Sequence, residues 1–257
     1  MSDQGHSAVT GGFTVPVLKE IILELVSTAE NSTKKWTSSY AYIEDIDDGR
    51  GYTAGVVGWC SGTGDMLDLV ERYTATTPGN PLQKYLPALQ EIMAAPYDSR
   101  PDLSHTLLDP DFTTAWAAAA DTASFQAAQR DERDRMYWTP AWAAATRDQL
   151  GPLGRYLYYD ISVNHGPGNS PHSFGGIVAG VKASGQPSPA QGGDEIAYLS
   201  AIIAARDDAL KAGSTYQVDG RSTIGLKFLS EKNLNLTLPL TWTVYKVTYS
   251  ITSPPTP

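Results

Sequence analysis

Apolar positions recur at helical spacing from Val17 to Ala29, where Leu18, Ile21, Ile22, Leu25, Val26 and Ala29 share one face. Thr14 stands where a helix cap belongs, and Pro16 falls in the first turn, where its missing N–H costs no hydrogen bond. The pattern predicts an amphipathic helix that delivers Glu30 at its C-terminal end, before the polar Asn31-Ser32-Thr33. A carboxyl group there meets the negative end of the helix dipole, which favours its protonated form. From Trp36 to Val57 the period shortens: Tyr40, Tyr42 and Ile43 near-alternate with polar residues, then come Asp47-Asp48-Gly49-Arg50-Gly51 and Tyr52-Thr53-Ala54-Gly55-Val56-Val57. A small β-hairpin or short sheet is expected, with Asp48 at or beside its turn.

Beyond Gly64 helical spacing returns, predicting helices over Asp65–Tyr73, Leu82–Ala94, Asp111–Met136, Thr139–Leu150, Leu153–Val163 and Gly193–Ala212. The alternating charges of Gln129-Arg130-Asp131-Glu132-Arg133-Asp134-Arg135 read as a solvated helix face with ion pairs. Loops rich in Gly, Pro and Ser are expected at His165–Pro171 and Ala183–Gly193, and extended segments at Leu236–Leu240 and Trp242–Ile251. No internal repeat and no interdomain linker is evident. Residues 1–257 are therefore read as one mainly helical domain, with a flexible leader over 1–12 and a frayed tail over 253–257.

Composition narrows the functional classes. Against 19 basic residues stand 28 acidic ones, a formal net charge of -9, which disfavours nucleic acid or an anionic membrane as partner and suits a polycation. A single cysteine, Cys60, excludes an internal disulfide and any multi-cysteine metal cluster, and its apolar neighbours mark it as a buried, inert thiol. No run approaches the roughly 20 apolar residues that span a bilayer, and Met1–Gly12 has neither the basic nor the apolar region of a signal peptide.

The glycines near Gly49, Gly51, Gly62 and Gly64 form no phosphate loop or dinucleotide fingerprint. His165 and His172 lack the further ligands a zinc site needs, and a Gly-x-Ser-x-Gly elbow is absent. No cofactor or metal is expected. What remains is a pair of carboxylates on two different elements, Glu30 and Asp48. Glycosidic cleavage uses such a pair, one carboxyl giving a proton to the leaving oxygen and the other handling a nucleophile on the opposite side of the sugar. Residue types alone do not single these two out, because an acidic chain offers dozens of carboxylate pairs.

The order of the chain's longer motifs does. Glu24-Leu25-Val26-Ser27-Thr28-Ala29-Glu30-Asn31-Ser32, then Tyr42-Ile43-Glu44-Asp45-Ile46-Asp47-Asp48-Gly49-Arg50-Gly51-Tyr52-Thr53, then Cys60-Ser61-Gly62-Thr63-Gly64-Asp65 closely resemble the chitosanases of glycoside hydrolase family 46. So do Leu86-Pro87-Ala88-Leu89, Asp131-Glu132-Arg133-Asp134-Arg135, His165-Gly166-Pro167-Gly168-Asn169, Ser173-Phe174-Gly175-Gly176-Ile177 and Pro189-Ala190-Gln191-Gly192-Gly193-Asp194-Glu195. This resemblance implies a lysozyme-like, two-lobed, mainly α fold with a small antiparallel sheet in one lobe and a substrate cleft between the lobes. It also implies an extracellular, inverting endo-hydrolase of chitosan, whose partners are chitosan and glucosamine oligosaccharides.

By the family's pattern Glu30 is the general acid, Asp48 the general base and Thr53 a holder of the attacking water. Inversion leaves room for that water, with carboxyls roughly 6.5–9.5 Å apart in the closed complex. Glu30 is then expected among apolar neighbours that keep it protonated, and Asp48 ionised beside Arg50. Asp65 matches a residue that binds a glucosamine amine, while also suiting a helix cap. Ser32, Tyr42, Arg50, Thr63 and His165 match positions lining the cleft, although Tyr42 also suits a core. Asp194 and Glu195 are weaker matches, since an acidic pair opening a helix also suits its dipole.

The pattern further pairs an Asp, here Asp160, with two arginines behind the acid. Arg206 matches the first; the second position holds Gln217, and Arg221 is expected to take its place. Alternatives are a lysozyme-like hydrolase of peptidoglycan or chitin, and a binding-only relative. A monomer is expected, since no long heptad seam is present.

Overall fold

The computed structural model describes residues 9–212 and 220–256. The chain divides into two compact units, Met1–Trp36 with Met136–Pro257, and Thr37–Arg135. Most of the leader expected over 1–12 and part of the segment around Gln217 lie outside the described residues; within them, β1 (Val9–Thr10) pairs antiparallel with β2 (Phe13–Thr14). Helix α1 (Val15–Glu30) follows at once, with Pro16 in its first turn. The face expected to be apolar is buried, and so are Leu23, Ser27 and Thr28. A helix buried on several faces belongs inside a core rather than on its surface. Asn31 closes α1 by donating its N–H to the Ser27 carbonyl at 2.7 Å, and Ser32 turns the chain away at φ 52°.

The second unit opens with a three-stranded antiparallel sheet, β3 (Ile43–Asp45), β4 (Tyr52–Ala54) and β5 (Trp59–Cys60). Asp45 lies opposite Tyr52 at the end of the β3–β4 ladder, and Thr53 opposite Cys60. Five helices complete this unit: α2 (Asp65–Thr76), α3 (Leu86–Ala94), α4 (Arg100–Leu108), α5 (Phe112–Ala120) and α6 (Ala123–Arg133). Their core is aromatic, with Phe112, Trp116 and Phe125 meeting in edge-on pairs alongside Tyr73 and Tyr85.

Two expectations are corrected here. The single helix over Asp111–Met136 is broken at Asp121-Thr122, because the Thr122 hydroxyl accepts the Phe125 N–H at 3.2 Å and caps a new helix. The run of charges after Gln129 carries the expected ion pairs but is solvated only in part: Asp131 and Arg135 are exposed, whereas Glu132 and Arg133 are buried. Glu132 is only 1% exposed, held by Arg135 at 2.5 Å and Arg72 at 3.0 Å, and Arg133 is buried against Asp134. Ionic pairing offsets part of the cost of burying Glu132 and Arg133.

The chain returns to the first unit through a π-helical turn, Asp134–Trp138, into α7 (Thr139–Arg147). Then come α8 (Pro152–His165), α9 (Phe174–Ala183), α10 (Glu195–Ala212), α11 (Ser222–Ser230) and the hairpin β6 (Leu240–Val244) with β7 (Val247–Ile251). Leu18, Ile21 and Leu25 of α1, Tyr156 and Leu157 of α8, Ile202 of α10, Phe228 of α11 and Trp242 of β6 are all buried. Trp242 donates its indole N–H to Thr28 at 2.9 Å, which ties the hairpin to the last turn of α1. The result is a mainly helical protein with small antiparallel sheets, as the resemblance implied.

Candidate active site

In the second unit the turn between β3 and β4 is built by its own side chains. Asp45 Oδ1 accepts the Asp47 N–H at 2.8 Å and Asp48 Oδ1 accepts the Arg50 N–H at 3.1 Å, two aspartate-closed turns in succession. Gly51 adopts φ 70°, and a Cβ there would come within 2.5 Å of both Ser61 and Ser104 hydroxyls, so only glycine fits. Arg50 lays its guanidinium on Asp48 Oδ2, with Nε at 2.9 Å and Nη2 at 2.5 Å. Hydrogen bonding to Asp48 holds Arg50 above its ordinary range against desolvation.

Around this pair the sheet gathers other residues singled out from the sequence. Thr53 is buried, its hydroxyl 3.4 Å from Cys60 Sγ. Burial pushes the Cys60 thiol up, which suits an inert sulfur. Asp65 Oδ1 accepts from the Cys60 N–H at 2.9 Å, Thr63 Oγ1 at 2.7 Å and the Met66 N–H at 3.1 Å. Desolvation nevertheless raises the Asp65 carboxyl above its usual range. The Tyr42 ring is exposed rather than core, its hydroxyl 3.4 Å from Glu44, and burial with that carboxylate raises its phenol. Cys60 feels the charges of Arg50, Asp65 and Asp48, and Tyr42 those of Glu44 and Asp48, so these residues share one neighbourhood.

In the first unit Glu30 ends α1 with its side chain 33% exposed. Where apolar neighbours were expected, the Arg221 guanidinium donates to Glu30 Oε1. The same guanidinium reaches Asp160 Oδ1 at 3.3 Å, and Arg206 lies 3.9 Å from Asp160 Oδ2. Asp160, Arg206 and Arg221 are all nearly fully buried. Burial drives the Asp160 carboxyl up, and Arg221 and Arg206 oppose it. For Arg221 burial works the other way, and Asp160 with Glu30 overcomes it, holding the guanidinium above its ordinary range. Ser222 and Asp207, not singled out from the sequence, extend this network: Arg206 donates to Ser222 Oγ, which donates to Asp207. No sequence signal separates them from other surface-type residues.

His165 closes α8, with Nδ1 2.9 Å from the His172 carbonyl. Burial, helped by Arg206, lowers its imidazole to about 4, so the ring is neutral at ordinary pH and its Nδ1–H donates to that carbonyl. Ser32 is exposed just beyond Glu30. Asp194 and Glu195 are engaged locally: Asp194 accepts the Ala197 N–H at 2.9 Å and caps α10, and Glu195 accepts the Gly151 N–H at 2.7 Å. Neither carboxylate bonds to the network behind Glu30. Among the described residues no cluster of three or more His, Cys, Asp or Glu is arranged to hold a metal, and no helix is long and apolar enough to cross a membrane.

Glu30, at a helix end of the first unit, and Asp48, on a self-closed turn of the second, are each faced by an arginine. Glycosyl hydrolase family 46 matches residues 24–240. The chain is 48% identical over 255 residues to a chitosanase of Streptomyces sp. (strain N174), covering 98% of this chain and 89% of that protein. It is 48% identical over 246 residues to a chitosanase of Nocardioides sp. (strain N106), covering 94% and 84%. A chitosanase solved in co-crystals with substrate superposes with a TM-score of 0.85 at 45% identity, over 92% of this chain and 97% of that one. The chain belongs to glycosyl hydrolase family 46 and is a glycoside hydrolase.

Proposed function

We propose that this protein is an endo-acting chitosanase that cleaves β-1,4 bonds between glucosamine units with inversion, using Glu30 as general acid and Asp48 as general base. The observation that carries the reading is the pairing of each carboxylate with a guanidinium, Arg221 at Glu30 and Arg50 at Asp48. Arg50 orients Asp48 through two guanidinium N–H donors, which suits a base held in place to accept a proton from water. Arg221 is shared between Glu30 and Asp160, which fixes the Glu30 carboxyl in place at the end of α1. Thr53, one residue into β4 beyond the turn, supplies a hydroxyl to hold the attacking water. The polymer is too large to enter a cell, so the enzyme acts outside it, and it acts as a monomer.

The test is hydrolysis of a glucosamine hexamer, an N-acetylglucosamine hexamer and peptidoglycan, followed by NMR. Release of α-anomeric products from the glucosamine oligomer alone is expected. First appearance of β-product overturns inversion, and cleavage of only acetylated substrates overturns the chitosanase reading.

Amine recognition is assigned to Asp65. Asp65→Asn keeps the Oδ1 acceptor that the Cys60 and Met66 amides use, so the start of α2 survives while the charge goes. A charge-assisted hydrogen bond is worth about 1.5–3 kcal/mol, so KM for the glucosamine hexamer is expected to rise about 10- to 100-fold with an unchanged melting temperature. Unchanged KM would remove Asp65 from the binding set.

A further inference from the structure

The turn that carries Asp48 is fastened to a helix by a side chain outside the motifs described so far. His105, on α4, places Nε2 2.8 Å from Asp45 Oδ2 and Nδ1 3.1 Å from Asp109 Oδ2. Asp45 is the last residue of β3, and its other oxygen holds the Asp47 N–H. Asp109 follows α4, and its other oxygen accepts the hydroxyl of Tyr52, the first residue of β4. Asp45 and Tyr52 face each other across the ladder where the turn leaves it. Both ends of the turn are therefore gripped from one helix, by a chain that runs from His105 through Asp45 to the amide beside Asp48.

We propose that His105 is a positioning residue for Asp48, an imidazolium strut between Asp45 and Asp109 that holds the base-bearing turn in working geometry. The inference rests on the reading of Asp48 as base. A neutral imidazole has one N–H donor and an imidazolium two. Bridging two carboxylates through both ring nitrogens needs both donors, so deprotonation releases one end of the strut. The charged and titratable groups facing the ring are Asp45 from β3, Tyr52 from β4 and Asp109 beyond α4. Hydrogen bonding to Asp45 raises the imidazole above its ordinary value against desolvation, and Asp109 adds to the rise. With a raised pKa, the strut is complete at acid pH and is lost as pH rises through the folded value. The side chain is 45% exposed, which leaves room for a longer replacement.

The experiment compares kcat on the glucosamine hexamer across pH for the full-length wild type, His105→Gln and His105→Arg. Titration of the substrate amines is common to all three and cancels in the ratios. Small misplacements of a catalytic group cost up to about a hundredfold; the expected ratio of wild type to His105→Gln is about tenfold at acid pH, falling toward one as His105 deprotonates, with KM changed less than twofold. His105→Arg, which keeps two donors and its charge, is expected to retain kcat at the alkaline end. A ratio independent of pH, or an unchanged kcat in His105→Gln, overturns the proposal. Thermal melting checks that the variants fold; if His105→Gln does not, Asp109→Asn, which removes one anchor of the strut, is read by the same ratio. Asp48→Asn separates the two readings: an active Asp48→Asn enzyme overturns the base assignment itself, whereas an inactive one beside a flat His105 ratio overturns only the strut.

Discussion

Glu30→Gln is expected to lower kcat on the glucosamine hexamer by about a thousandfold or more, within the range that a positioned acid or base contributes. Glutamine keeps the shape and the acceptor oxygen that Arg221 addresses but carries no proton to give the leaving oxygen. The proton transfer occurs only in the transition state, so KM should move little while kcat collapses. The melting temperature should be nearly unchanged, because Arg221 retains Asp160. Reducing-end release measured with purified variant checks this. Retention of a tenth of the activity would move the acid to another residue.

Arg221→Met carries the largest expected loss of stability. Removing one partner from a buried ionic group costs about 3–5 kcal/mol, because the remaining charge is left in a poor solvent. Here the group left behind is Asp160, 1% exposed, with Arg206 as its nearest remaining cation at 3.9 Å. Burial already raises the Asp160 carboxyl in the wild type, and loss of Arg221 removes the first of the two charges that oppose the rise. A carboxyl with a raised folded pKa favours the folded state at acid pH, and that contribution is lost as pH rises through the raised value. The deficit of Arg221→Met should therefore be largest at neutral pH and shrink as the solution is acidified and Asp160 takes up its proton. Urea unfolding at several pH values measures it. A deficit that grows on acidification would mean that Asp160 is not the group responsible.

These two predictions draw on features that differ in how far they can be read along the chain. Glu30 is delivered by a local pattern: the apolar spacing of α1 and the polar residues beyond it locate the helix end. Asp48 is equally local, since Asp45, Asp47, Asp48 and Arg50 close their own turn over a few residues. The network behind Glu30 is not. Arg221 and Glu30 stand 191 positions apart, and Arg221 is placed by α11, a helix that the sequence spacing did not announce.

Helix α4 escaped the sequence reading for a related reason. Its residues Arg100-Pro101-Asp102-Leu103-Ser104-His105-Thr106-Leu107-Leu108 lack an apolar period, because one side is committed to polar contacts with the sheet: Ser104 to Ser61 at 2.8 Å, Arg100 to the Gly62 carbonyl at 3.0 Å, and His105 to Asp45. The charges around Glu132 misled for the same reason. Charge patterning reports a side chain's cost of leaving water, but not whether a partner from another helix, such as Arg72, offsets it.

By itself the sequence determined the helical class, the three-stranded sheet's turn, the end of α1 and the family to which the chain belongs, all carried by short-range periodicity and contiguous motifs. Only the tertiary structure decided what surrounds the carboxylates: the guanidinium shared by Glu30 and Asp160, the aspartates on either side of His105, and the buried charges of α6. Side-chain spacing encodes which face of an element seeks burial, whereas the electrostatic environment of an ionisable group depends on which distant groups folding brings within a few ångströms.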